Sequence, residues 1–117
     1  MPNRQYEAGD RWEKRVVNDL RRRRYVPNQT RGSKGAYDIT ALPIIEPHRA
    51  DPVLLVQAKS GDKKVEHTAW NALRDVALKT GAAPLIADRD GRKIRYRLIT
   101  GYHTYRSRDW PAENYDP

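Results

Sequence analysis

A chain of 117 residues builds one domain around a single modest core, and its 38% hydrophobic and 32% charged residues exclude a disordered chain. No apolar run approaches a membrane span, the opening residues lack a signal-peptide pattern, and the absence of cysteine excludes disulfides and thiolate metal sites, so a cytoplasmic setting is expected. Lys and Arg total 23 against 15 Asp and Glu, a net charge of +8 dominated by arginine, whose planar fork suits phosphate, so a nucleic-acid partner is indicated.

In chain order, residues 7–24 have helical period. Trp12, Val16, Val17 and Leu20 fall at i, i+4, i+5 and i+8 on one apolar stripe. Arg11, Lys14, Arg15 and the run Arg21, Arg22, Arg23 and Arg24 occupy the other faces, and Pro27 stops the helix. The arginine run is either a phosphate-tracking patch or a solvated helix end. Phosphate contact is favoured, because four adjacent cations repel one another at a cost that DNA would offset. Residues 25–30 read as a short extended segment, and Gly32-Ser33-Lys34-Gly35 as a turn. Residues 36–42 alternate as a strand, with Tyr37, Ile39 and Ala41 on one side and Asp38 and Thr40 on the other. After a proline-bounded loop, residues 53–59 form a buried strand, apolar up to Val56 and ending Gln57-Ala58-Lys59.

Residues 65–80 return to helical period, with Ala69, Leu73, Val76 and Ala77 on one face and Gly81 at the C-cap position. Residues 83–88 and 93–100 are strands joined by a hairpin at Asp90-Gly91. Residues 102–117 are aromatic, polar and broken by proline, a tail that either packs on the body or is disordered. Packing is favoured over base stacking for Tyr102, Tyr105, Trp110 and Tyr115. His48, His67 and His103 have no ligand spacing and read as ordinary polar residues. The element order predicts a small α/β sandwich with a mixed sheet, in which the crossover helix sets the Val53 strand parallel to the Ala83 strand.

Polar groups collect at the ends of two strands. Residues two apart on a strand share a face, so Gln57 and Lys59 are neighbours, Asp38 can join them across the sheet, and Ala58 turns into the core. Glu13, at the edge of the buried helical stripe, can lean over the end of the sheet and add a second carboxylate. Two carboxylates, an amide oxygen and an ammonium are the groups that hold a divalent metal against a phosphodiester. Taken singly, each has a blander explanation: a turn cap, a polar strand end, a solvated lysine. Their conjunction on a basic chain points to a nuclease. Arg31, Lys34 and Lys63 flank the site and are the better-placed cations for DNA.

The chain also resembles a known family. Gly9-Asp10-Arg11-Trp12-Glu13 looks like the G-x-x-x-E helix motif of the PD-(D/E)xK nucleases, and within them of the archaeal-type Holliday junction resolvases and their phage relatives. The stretch from Ser33 to Ile39 resembles their S-G-x-x-x-D-I, and residues 53–60 their strand ending in E-x-K-S. The resemblance runs from Glu7 to Ile99 and implies an α/β, restriction-endonuclease-like core: a central mixed β-sheet flanked by helices, with residues 1–101 as a single nuclease domain and 102–117 as a C-terminal tail.

On that resemblance Glu13 and Asp38 are metal ligands, with Gln57 at the third ligand position. Lys59 orients the attacking water or steadies charge on the scissile phosphate, and Ser33 meets the DNA backbone. The implied cofactor is Mg2+ or Mn2+, with no small-molecule cofactor. The partners are branched or double-stranded DNA and a second copy in a C2 homodimer, without membrane. Gln57 stands where the family carries an acid. An amide oxygen still ligates Mg2+ but brings no charge, so weaker metal binding is expected, or help from another acid such as Asp62 or Glu66. Two alternatives stay open: a nuclease of the same fold with flap, repair or restriction specificity, and a non-catalytic DNA-binding module with a decayed site.

Overall fold

A computed structural model describes residues 4–30, 36–60, 65–104 and 110–117. Its elements are α1 (Arg4–Arg22), β1 (Tyr25–Gln29), β2 (Ile39–Pro43), β3 (Leu54–Ala58), α2 (His67–Thr80), β4 (Ala83–Asp90), β5 (Lys93–Ile99) and β6 (Ala112–Asn114). The six strands form one sheet in the order β1-β2-β3-β4-β5-β6. Only β3 and β4 run parallel, Leu54 facing Ala83 and Ala58 facing Ala87, with α2 as their crossover. The remaining neighbours pair antiparallel. This is the mixed α/β sheet that the sequence pattern predicts.

Helix α1 covers one face of the sheet. Trp12, Val16, Val17 and Leu20 are all buried, and they pack on Ile39, Ala41, Leu54, Val56, Leu85 and Ala87. Helix α2 covers the other face, where Trp70, Leu73 and Ala77 pack on Leu55 and Ile86. Strands β3 and β4 therefore bury both faces, which is why their sequences read as continuous apolar runs rather than as alternation. Gly81 closes α2 at φ 74°, and Gly91 opens the two-residue hairpin loop at φ 62°, a left-handed value that a side chain would resist.

Four details depart from the sequence expectation. Helix α1 starts three residues earlier than residue 7 and ends at Arg22, because Arg24 takes a left-handed φ of 68° that turns the chain into β1. Strand β2 begins at Ile39, and a bend precedes it at Asp38. That bend breaks the alternation, so Tyr37 packs with the α2 cluster while Ile39 and Ala41 face α1. His103 is buried rather than an ordinary surface residue, stacked against Trp110 at 3.6 Å between ring centroids. Asn71 of α2 holds its backbone from both sides, donating to the His103 carbonyl at 2.9 Å and accepting its N–H at 2.8 Å. In the C-terminal segment, β6 adds to the sheet edge and Tyr115 packs on the α1 cluster.

Candidate active site

The candidate site lies where β3 ends, on the side from which α1 approaches. Three backbone anchors build it. The N–H of Asp38 donates to the Val56 carbonyl at 2.8 Å, which docks the residue before β2 onto β3. Thr30 clamps the same point from β1: its N–H donates to the Asp38 carbonyl at 2.9 Å and its hydroxyl to the Tyr37 carbonyl at 3.0 Å. The carbonyl of Ala87 on β4 then accepts two donors, the N–H of Lys59 at 2.9 Å and the indole N–H of Trp12 at 3.2 Å. A carbonyl has two lone pairs, so this one group ties the end of β3 to the turn of α1 that carries Glu13.

The Asp38 carboxylate bends over the strand end and accepts the Ala58 N–H at 2.9 Å. Burial raises its pKa, while the Ala58 N–H and the ammonium of Lys59 pull it back down. Burial also raises Glu13, and the charge of Asp38 raises it further, with a smaller push from Asp10. The side chain of Gln29 on β1 lies close enough to favour the charged form of Glu13. Glu13 is therefore near enough to feel Asp38, and Asp38 to feel Lys59. Gln57, half-buried on β3, alternates with Val56 and Ala58 and takes the side of Leu55.

Among the described residues no group of three or more His, Asp or Glu converges. Glu66 is an exposed residue at the start of α2 and does not complete the pair as a third acid. Asp62 and the flanking Arg31, Ser33, Lys34 and Lys63 lie outside the described residues, as does Tyr105. Thr30 and Gln29 had no sequence signal: their roles come from strand pairing across the intervening loop, and one polar residue at a strand end looks like any other.

The arginine run is largely committed to carboxylates. Arg22 and Arg23 pair with Asp19 at 3.3 and 2.8 Å, Arg23 also reaches Asp116 at 2.5 Å, and Arg24 pairs with Glu46. Arg21 bonds the neutral side chain of Asn18 at 3.3 Å. The solvent face of α1 nevertheless forms an open groove lined by Arg11, Lys14, Arg15, Asn18, Arg21 and Arg22.

The two raised carboxyls set a pH dependence. The folded chain holds these protons more tightly than the unfolded chain, so stability falls as pH climbs from the ordinary carboxylate range through the raised values. Above that interval the loss is complete. Glu13→Gln is expected to raise the thermal midpoint at pH 7, with the gain vanishing as pH falls back into the ordinary carboxylate range. Melting curves of the two proteins across that range check it, and a constant or inverted difference contradicts it.

The mixed sheet with a helix on each face is a fold shared with solved structures. Among the solved structures that match is Hjc of Archaeoglobus fulgidus, a Holliday junction resolvase from an archaeal hyperthermophile. It aligns at a TM-score of 0.58 and 19% identity, over 77% of this chain and 70% of that one. No family model matches the sequence, and no curated protein is similar enough to match it. No described helix is long and apolar enough to cross a membrane.

Proposed function

We propose that the protein is a metal-dependent, structure-selective DNA endonuclease, and specifically a Holliday junction resolvase acting as a C2 homodimer. The observation that carries this reading is the pairing of Glu13 with Asp38, both raised in pKa, beside Lys59 at the end of β3 in a resolvase-like fold. Two carboxylates in a partly buried site are costly alone, and a cation between them reverses that cost.

The donor set fits Mg2+ or Mn2+: Glu13 and Asp38 offer hard carboxylate oxygens. When bound, such an ion supplies a water of lowered pKa and polarises a phosphoryl oxygen. The chain's own groups do the rest. The Ala58 N–H orients the Asp38 carboxylate. The Lys59 ammonium offsets the charge that gathers on the scissile phosphate. The net charge of +8 draws the polyanion in. Recognition by shape and backbone needs no contacts to base edges, and two symmetric cuts in a four-way junction require two such sites.

The test is cleavage of a synthetic four-way junction, a flap and a linear duplex of matched sequence, in Mg2+ and in Mn2+, with a chelator control. Paired symmetric nicks confined to the junction are expected. Equal cutting of the linear duplex would leave a nuclease but remove the resolvase. Gln57, which brings no charge to the site, favours one second reading: a DNA-binding module without turnover. Junction binding with no cutting in either metal would establish it.

A further inference from the structure

Seven of the chain's 23 cations are paired with carboxylates within the described fold. Lys14 pairs with Asp10, Arg22 and Arg23 with Asp19, Arg24 with Glu46, Arg49 with Asp51, and Arg95 and Arg97 with Asp88. Arg11, Arg15 and Arg89 pair with no carboxylate among the described residues. Two of these three are held at one place. The guanidinium of Arg89 lies 4.6 Å from the centroid of the Trp12 ring, and that of Arg15 lies 5.2 Å from it. Arg15 also donates to the Arg92 carbonyl in the β4–β5 loop. Trp12 is itself buried and fixed by its bond to the Ala87 carbonyl, the group that also anchors Lys59.

The ring of Trp12 thus presents two cations that pair with no carboxylate among the described residues, on the flank of α1 that faces the β4–β5 loop, while Glu13 leaves the other flank toward Gln29 and Asp38. Along α1, Arg11, Arg15, Asn18 and Arg22 recur at helical spacing and line the open groove on its outer face. From Arg11 to Arg15 the helix rises about 6 Å. Over that axial length one strand of duplex DNA carries about two phosphates. Stacking on an aromatic face costs an arginine little of its charge and fixes its otherwise mobile fork, which suits phosphate recognition.

We propose that Arg15 and Arg89, seated on Trp12 and continued along α1 by Arg11, form a phosphate-binding rail that holds the sugar-phosphate backbone of a DNA arm across α1 from the Glu13–Asp38 pair. The inference rests on the reading of DNA as substrate. It assigns the backbone contact to three cations dispersed in sequence, one of them on β4, rather than to the arginine run at the end of α1. Arg15 and Arg89 are positioning residues; neither takes part in the hydrolytic step.

The experiment is equilibrium binding of the full chain to a four-way junction in Ca2+, between about 50 and 200 mM salt, with unfolding curves to check the fold of each variant. Arg15→Gln/Arg89→Gln is expected to flatten the slope of log K against log salt by about 1.8 and to weaken binding by tens of fold at about 0.1 M salt. Arg15→Lys/Arg89→Lys keeps both charges and is expected to restore the slope. Arg74→Gln/Lys79→Gln removes two cations from α2, on the opposite face of the sheet, and is expected to leave it unchanged. A slope unaffected by the first pair, or lowered equally by the α2 pair, overturns the rail. If the unaltered protein binds and cuts junctions while the first pair changes nothing, the rail alone fails. If the unaltered protein binds no DNA, the substrate reading falls with it.

Discussion

Asp38→Asn is expected to reduce junction cleavage by roughly three orders of magnitude, about 4 kcal/mol of transition-state stabilisation, while leaving DNA binding intact. The substitution is nearly isosteric, and its carboxamide oxygen can still accept the Ala58 N–H, so the docking of β2 on β3 survives. What it removes is the charge. That charge is held in a partly buried place at a cost, which burial and the raised pKa both record. Removing it relieves Glu13 as well. The variant should therefore melt no lower than the parent at neutral pH, a combination that a merely structural aspartate would not give. Cleavage by Asp38→Asn within tenfold of the parent would remove Asp38 from the reaction.

The second large effect concerns stability. Trp12→Ala is expected to cost about 3–5 kcal/mol, as for other buried aromatics truncated to alanine. That is a large share of the roughly 5–15 kcal/mol by which such domains are stable. Trp12 is 1% exposed and lies in the core between α1 and the sheet. Its loss opens a cavity there, removes the bond to the Ala87 carbonyl, and leaves Arg15 and Arg89 without their platform. Trp12→Phe keeps a ring and should cost much less, because Ala87 still accepts the Lys59 N–H. Denaturant unfolding of both variants measures the difference. A loss below about 1 kcal/mol for the alanine variant would show that this part of the core collapses around the gap.

The amino-acid order alone determined the class of fold. The stripe Trp12–Val16–Val17–Leu20, the doubly apolar strands and the glycines after α2 and in the hairpin are local signals, set by period and by allowed φ, and the structure follows them. The polar residue types at the ends of the strands were legible because alternation on a strand is a local property. Only the tertiary structure decided which of them meet. The bend at Asp38 sent Tyr37 to the opposite face, Thr30 and Gln29 entered the site through strand pairing, and His103 disappeared between two tryptophans. Charge was least legible of all. A run of four arginines and one isolated arginine on β4 look unequal in sequence, yet ion pairing occupies three of the four, while Arg89 pairs with no carboxylate among the described residues and lies on Trp12. Whether a cation faces solvent or a carboxylate depends on what the fold brings within about 4 Å of it, and at that range sequence separation carries no information.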